Sequence, residues 1–173
     1  MKYKREIIIY HYYSPVGEMI LGDCEGQLCL CDWAESKCCS LVEKRVSRIL
    51  EAIYKNGITD LIVKVVGQLD EYFQKKRFTF ELPLLLCGTD FQKKVWMAVS
   101  QVKYGEIVSY RDLAVKVGCV GAVRAVAHAV ASNALPVIVP CHRIIGVDYK
   151  LRGFSGGLAL KQLLLDLESS YLF

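Results

Sequence analysis

The first half of the chain alternates short apolar runs with turn residues, a pattern that predicts a small sheet. Residues 4–13, 19–21 and 28–33 are rich in aliphatic and aromatic side chains, a composition typical of β-strands. Turn signals at residues 14–17 and 23–26 separate these runs and favour tight reversals of the chain. We therefore expect an antiparallel meander of three strands.

Two helices are expected after the meander, because apolar residues then recur every three or four positions. The first such stretch covers residues 41–54 and the second covers residues 60–73, each with one apolar face. Residues 78–82 alternate between apolar and polar side chains, which predicts a short strand that ends at Pro83. This half is predicted to be an α/β unit.

The second half is predicted to be mainly helical. Its expected helices span residues 89–102, 109–118, 122–132 and 158–167. Thr89 or Asp90 can cap the first helix, and Ser109 opens a capping-box pattern at the second. Pro136 and Pro140 bound a stretch that we expect to be extended.

Composition narrows the class of protein. The 173 residues suit one domain or two small ones, and a hydrophobic fraction of 53% with a mean hydropathy of +0.28 argues against disorder. No apolar run approaches the roughly 20 residues of a spanning helix, and no secretory signal is visible. We expect a cytoplasmic protein whose eight cysteines are reduced thiols.

Charge is divided unevenly between the two halves. Residues 1–86 carry 12 basic and 12 acidic side chains, whereas residues 87–173 carry 10 and 6. The surplus favours an anionic partner for the second half, such as nucleic acid, although four charges could arise by chance. We expect an N-terminal supporting domain at 1–86 and a C-terminal domain at 87–173.

The predicted helices on either side of residues 118–121 form a candidate helix-turn-helix. Arg124 lies near the start of the second helix, with Ala122, Ala125 and Ala129 around it. Such small side chains permit close approach, either to DNA or to another helix of the same protein. The pattern does not choose between these two partners.

One cysteine has chemically distinctive neighbours, in the segment Pro140-Cys141-His142-Arg143. An imidazole and a guanidinium nearby favour the thiolate, which is the nucleophilic form. On an extended strand, however, Cys141 and His142 would point to opposite faces, so a bend or a bridging water is needed. Glu168, late in the last helix, is a candidate to orient His142. A purely structural cysteine remains the alternative.

Taken together, the motifs of the second half resemble those of the O6-alkylguanine-DNA alkyltransferases, the methylated-DNA–protein-cysteine methyltransferases. The resemblance runs in family order from residue 88 to residue 168 and is looser over residues 14–17, 72–73 and 78–83. The matching segments of the second half are residues 88–92, 95–96, 104–106, 109–110, 113–114, 124–126, 133, 140–145, 153–157 and 161–168.

The resemblance implies a fold and a reaction. The fold is a ribonuclease H-like α/β domain followed by a mainly α domain with a helix-turn-helix. The reaction is the one-time transfer of an alkyl group from O6-alkylguanine, with O4-alkylthymine as a further possible substrate, to Cys141, activated through His142, water and Glu168. Minor-groove binding and nucleotide flipping precede the transfer, and the partner is double-stranded DNA. The resemblance further implies a monomeric protein that uses no cofactor and does not bind a membrane.

Other residues acquire roles through the same resemblance. Asn133 would stabilise the turn that carries Cys141, Tyr110 would contact the flipped nucleotide, and Arg124 would fill the gap it leaves. The remaining substrate and DNA contacts implied are Ser109, Ala125, Arg143, Phe154, Ser155 and Gly156. Ala134 and Phe154 replace the usual proline and tyrosine of the family, and Phe154 lacks one hydroxyl contact to the base pocket.

Three alternatives stay open at this point. The chain could be a DNA-binding protein without transferase chemistry, or a cysteine hydrolase that uses His128 or His142. A zinc site in the region of Cys24 and Cys29 is also conceivable. The spacing there matches no known zinc motif, and the cysteines of residues 28–33 are expected on one face of a strand.

Overall fold

The computed structural model describes residues 5–169, and its N-terminal half contains a four-stranded sheet. Strands β1 (Arg5–Ser14), β2 (Gly17–Cys24) and β3 (Gln27–Trp33) form the predicted antiparallel meander. A fourth strand, β4 (Ala52–Asn56), pairs parallel to β1, so the strand order is β3-β2-β1-β4.

The predicted helix over residues 41–54 is wrong at its C-terminal end. Helix α1 (Cys39–Leu50) ends at Glu51, whose φ of 49° is left-handed, and β4 follows directly. The apolar periodicity continues past this point, but Ile53 and Tyr54 are strand-forming side chains that pair with β1. Helix α2 (Asp60–Phe73) agrees with the prediction, and Thr59 caps it.

The predicted strand over residues 78–82 is also wrong. No strand ladder forms there; instead, the amide of Gln68 accepts a hydrogen bond from the Glu81 backbone N–H and donates one to its carbonyl. A side chain of α2 thereby satisfies backbone groups that a partner strand would otherwise satisfy. The chain meets β3 only later, where Leu28 exchanges backbone bonds with Pro83 and Leu85.

The cysteines of β3 do not share a face as expected. The register with β2 slips at this point, because Gly22 opposes Leu30 while Asp23 opposes Leu28. Cys29 is left without an opposite residue, as in a β-bulge. Consequently Cys29 packs into a small apolar cluster with α1 and β4, whereas Cys31 joins the main core.

The C-terminal half is helical, as predicted. Its helices are α3 (Asp90–Ser100), α4 (Tyr110–Lys116), α5 (Val123–Ala131) and α6 (Leu158–Ser169). Thr89 caps α3 and Ser109 caps α4 through their side-chain oxygens. Two short strands, β5 (Val108–Ser109) and β6 (Ile144–Ile145), pair in parallel and contact α4.

The two halves share one hydrophobic core. Trp33 and Tyr72 of the N-terminal half pack into the same buried cluster as Trp96, Val126 and Leu164 of the C-terminal half. The sheet and α2 therefore support the helical half directly. Across residues 5–169, no helix is both long enough and apolar enough to span a bilayer.

Candidate active site

Cys141 follows a turn that the side chain of Asn133 holds closed. The segment between Pro136 and Pro140 is a series of turns, so the expectation of an extended stretch is wrong. Asn133 holds it closed, since its Oδ1 accepts from the Leu135 N–H and its Nδ2 donates to the Val139 carbonyl, both at 2.9 Å. The carboxamide supplies one acceptor and one donor that the turn needs.

Cys141 begins a 3₁₀ turn (Cys141–Arg143) rather than continuing a strand. The opposite-face geometry of a strand therefore does not separate Cys141 from His142. The thiol is almost fully buried, and burial raises its pKa to about 11, opposed by a hydrogen bond from Asn133 and by the charge of Lys161. A base is needed to generate the thiolate at neutral pH.

His142, the next residue in the chain, is the candidate for that base. Its Nε2 donates to Oε1 of Glu168 at 2.7 Å, and both side chains are buried. Burial lowers the pKa of His142, so the ring is neutral, with its proton on the nitrogen that faces the carboxylate. The other nitrogen, Nδ1, is buried without a hydrogen-bond partner among residues 5–169 and can accept a proton.

Glu168 accepts five hydrogen bonds from the described part of the chain. Its Oε1 accepts from His142, from Arg143 Nη2 at 2.9 Å and from the Tyr72 hydroxyl at 2.7 Å. Its Oε2 accepts from Arg143 Nε at 2.8 Å and from the Gly105 N–H at 3.1 Å. Despite burial, the bonds from His142 and Arg143 lower the pKa of Glu168 to about 2, so it is a carboxylate at every pH at which the protein works.

Arg143 faces this carboxylate rather than the solvent. Only 6% of its side chain is exposed, and its Nη1 donates to the Val102 carbonyl at 2.6 Å. In this structure Arg143 makes contacts that fix Glu168, and the substrate or DNA contact expected for it stays a prediction.

A second cluster of buried polar atoms surrounds the hydroxyl of Tyr110. This hydroxyl donates to the Arg152 carbonyl at 3.0 Å, and the buried ammonium of Lys161 lies 3.5 Å from the same hydroxyl. Lys161 also donates to the carbonyls of Ile144 and Arg152, at 2.6 and 2.9 Å. Burial raises the pKa of Tyr110 to about 12 and lowers that of Lys161 to about 8.

Sequence reasoning missed Lys161 and Tyr72. A signal for Lys161 exists in α6, because Lys161, Leu164 and Glu168 share its buried face, and charged residues are rarely fully buried unless paired. For Tyr72 no local signal exists, since it lies 96 positions from Glu168 in sequence.

The loop before α6 borders an open pocket of about 570 Å³. Phe154 packs on Trp33 with ring centroids 5.5 Å apart. A Cβ on Gly156 would clash with the end of the Leu160 side chain and lie 3.2 Å from Trp33, so a larger residue there requires Leu160 to move. The Ser155 hydroxyl lies 3.3 Å from Oδ1 of Asp32. The pocket is also lined by Glu35, Lys37, Cys38 and Ala131.

The expected DNA-facing residues divide between helices α4 and α5. Arg124 and Ala125 are exposed on α5, which follows α4 after the turn at residues 118–121. Ser109 uses its hydroxyl at the start of α4, where it accepts from the Asp112 N–H and donates to the Asp112 carboxylate. The helix pair thus has a helix-turn-helix arrangement with a basic residue on its outer face.

The cysteines of the first half serve mainly as packing residues. Cys24, Cys29 and Cys39 lie in the small apolar cluster, together with Cys87. Across the described part of the chain, His, Cys, Asp and Glu side chains form no group of three or more suited to a metal ion.

Comparison with known proteins identifies relatives of both halves. Residues 8–86 match the ribonuclease-like domain of 6-O-methylguanine DNA methyltransferase, and residues 90–170 match its DNA-binding domain. The methylated-DNA–protein-cysteine methyltransferase of Methanosarcina barkeri is 38% identical over 159 residues, which cover 92% of this chain and 95% of that protein. The constitutive Bacillus subtilis enzyme is also 38% identical, over 91% and 95% of the two chains.

Solved structures agree over nearly the whole chain. The crystal structure of Mycobacterium tuberculosis O6-methylguanine methyltransferase superposes with a TM-score of 0.80 at 35% identity and covers 95% of this chain and 93% of that one. The same organism's protein in complex with DNA also gives 0.80, at 34% identity and the same coverage. With both halves matched in order, this chain belongs to the 6-O-methylguanine DNA methyltransferase family.

Proposed function

We propose that this protein repairs DNA by transferring the alkyl group of O6-alkylguanine to Sγ of Cys141. The observation that carries the assignment is the buried sequence of groups from Cys141 through His142 to Glu168, in which the neutral His142 keeps Nδ1 without a partner among residues 5–169. It supplies a nucleophile, a base and an orienting carboxylate, the arrangement that activates a weak nucleophile.

The reaction is a displacement at the alkyl carbon. The Cys141 proton passes to Nδ1 of His142 through a water molecule, and Sγ forms a bond to the alkyl carbon as the bond from that carbon to O6 breaks. Guanine leaves with the electron pair and is neutralised by a proton supplied in part through Tyr110. Lys161, 3.5 Å from that hydroxyl, stabilises negative charge on the tyrosine oxygen as the proton leaves.

Access to the thiol requires the guanine to leave the duplex. Cys141 is 6% exposed, so a base that remains stacked cannot reach it, and nucleotide flipping into the pocket beside Phe154 is the route. Exposed Arg124 would fill the vacated space, and the small side chain of Ala125 suits a narrow minor groove. The exposed start of α5 supports this orientation.

Each half of the chain has its own role in the proposed reaction. Residues 1–86 form the supporting domain and residues 87–173 the DNA-binding and alkyl-accepting domain, in a cytoplasmic monomer that uses no cofactor. A thioether is stable toward water, so the alkylated Cys141 is not regenerated and each molecule reacts once. Action on O4-alkylthymine is a second substrate proposal for the same pocket.

The decisive experiment measures the intact mass of the protein after incubation with duplex DNA containing O6-methylguanine. The expected result is the gain of one methyl group, located on Cys141 by peptide mapping, and no gain for C141A, which keeps its DNA affinity. The companion variant C119A should still gain the methyl group, because the Cys119 thiol bonds to the Val117 carbonyl and does not belong to the Cys141–His142–Glu168 group. Methylation of another residue, or multiple turnover, would refute the proposal.

A further inference from the structure

We infer that Tyr72 of the N-terminal half is a positioning residue of the alkyl-transfer site, which sets the proton affinity of the Glu168–His142 pair. This inference rests on the proposed function of Cys141. Tyr72 lies near the end of α2, and its hydroxyl donates to Oε1 of Glu168 at 2.7 Å. That oxygen is also the one that accepts from Nε2 of His142, at 2.7 Å.

The environment of Tyr72 fixes the direction of this hydrogen bond. The side chain is fully buried, and burial together with the charge of Glu168 raises the pKa of Tyr72 far above its ordinary value. The hydroxyl therefore stays protonated and acts only as a donor toward Glu168. Burial also removes competing water from both partners, so the bond is stronger than at a surface.

The ring of Tyr72 is held in place on several sides. Phe73, Phe80 and Tyr104 pack against it, with ring centroids 5.3, 5.5 and 6.0 Å away. Arg143 in turn lies over the Tyr104 ring at 5.7 Å. This aromatic group makes the hydroxyl a rigid donor, which loses little conformational freedom by bonding to Glu168.

The chemical consequence follows from the sharing of one oxygen. A donor to Oε1 withdraws negative charge from it and weakens its attraction for the proton on Nε2 of His142. The lower proton affinity keeps His142 neutral, and a neutral His142 can accept the thiol proton at Nδ1. Without the Tyr72 hydroxyl, Glu168 would bind the imidazolium form more strongly and raise the pKa of His142.

The other hydrogen-bond donors and charges around Glu168 also affect the proton affinity of the Glu168–His142 pair. Arg143 contributes two hydrogen bonds and the Gly105 N–H a third, and the charge of Lys161 disfavours a protonated His142. Tyr72 is the contributor from the N-terminal half, so it links that half of the chain to the proton transfer.

The test is the substitution Tyr72→Phe, measured as the single-turnover rate of methyl transfer between pH 5.5 and 9. We expect the acidic limb of the pH profile to move up by about half to one pH unit, so that the rate at pH 6 falls about three- to tenfold while the rate at pH 9 approaches that of the wild type. A uniform decrease at all pH values, or an unchanged profile, would refute the inference.

A matched control is a tyrosine of β1 that bonds to a carboxylate on the same helix. The Tyr12 hydroxyl donates to Asp70 of α2 at 2.6 Å, a similar tyrosine–carboxylate bond that does not involve Glu168, so Tyr12→Phe should leave the pH profile unchanged. In an E168Q background, Tyr72→Phe should cause no further shift, because the two residues act through one path. If Tyr72→Phe moved the pH profile by the same amount with and without E168Q, Tyr72 would not act through Glu168.

A direct titration makes the inference testable without activity. The chain has three histidines, so ¹⁵N-imidazole NMR can follow His142 in the wild type and in Tyr72→Phe. The pKa of His142 should rise in the variant. If the wild type fails to methylate Cys141, the proposed function is wrong; if it reacts and His142 titrates identically in both proteins, only the role of Tyr72 is wrong.

Discussion

Ser155 lies in the loop of residues 146–157 that precedes α6 (the pocket loop), and its hydroxyl is within hydrogen-bond distance of Asp32 of β3, at 3.3 Å. This contact ties the supporting sheet to the loop that borders the site. The other oxygen of Asp32, Oδ2, is buried and has no partner in the part of the chain that the structure describes. Burial raises the pKa of Asp32 to about 6. Ionising a carboxyl group in this buried position costs free energy.

The cost of ionising Asp32 should make the free energy of unfolding depend on pH. Because the pKa of Asp32 is raised on folding, its contribution to stability is full below pH 3.8 and is lost as pH rises through 6. D32N keeps an acceptor for Ser155 and removes the charge, so its stability relative to the wild type should rise by up to about 3 kcal/mol between pH 3.8 and pH 8. Urea unfolding at several pH values measures the difference, and a gap that does not grow with pH would contradict it.

Glu168 is predicted to behave in the opposite way. Its pKa falls on folding from 4.5 to about 2, so its stabilisation is present above pH 4.5 and is lost as pH falls toward 2. E168Q should therefore be less stable than the wild type by about 3 kcal/mol at pH 7, a gap that closes in acid. Unfolding experiments from pH 7 down to pH 3 measure it.

The same variant should also react slowly. A neutral carboxamide in place of the Glu168 carboxylate would hold the Nε2 proton of His142 more weakly, and we expect the methyl-transfer rate to fall by about 100-fold. The matched substitution Asp166→Asn lies on the exposed side of α6 and should change neither rate nor stability appreciably. An E168Q protein with wild-type kinetics would remove Glu168 from the mechanism.

Arg124 allows a separate prediction about base flipping. Flipping costs a few kcal/mol that a free base does not incur, so R124A should slow reaction with duplex DNA about 10- to 100-fold while reaction with free O6-benzylguanine changes less than about twofold. Lys116→Ala removes an exposed charge from α4 and serves as the control for general electrostatics. Equal losses on both substrates would argue against a role in flipping.

Local signals predict the helix starts and single out the proposed nucleophile. Thr89 and Ser109 are recognisable as caps because a side-chain oxygen there satisfies an N–H of the first turn, and both bonds are present. Cys141 is distinguished by its immediate neighbours. In each of these cases the determining contacts lie within a few residues along the chain.

The features that sequence reasoning misses depend on distant contacts. The end of α1 is set by the pairing of Ile53 with Glu6 of β1, which periodicity within residues 41–54 cannot reveal. The hydrogen bond from Tyr72 to Glu168 joins two halves of the chain. The turns between Pro136 and Pro140 are held by Asn133 from outside that stretch, through its bond to the Val139 carbonyl, so the proline pattern by itself predicts an extended segment.

Lys161 gives the last prediction, because its ammonium is the buried donor that joins β6 to the pocket loop. It bonds to the carbonyls of Ile144 and Arg152, so K161M, which keeps the apolar stem, leaves both carbonyls without this donor at a cost of about 2–4 kcal/mol. Reaction with free O6-benzylguanine should slow as well, because Tyr110 shares the Arg152 carbonyl. K161Q retains one amide donor and should lose less stability and less activity than K161M in the same unfolding and rate measurements. The reverse order would show that the volume of the side chain, and not its hydrogen bonds, determines the effect.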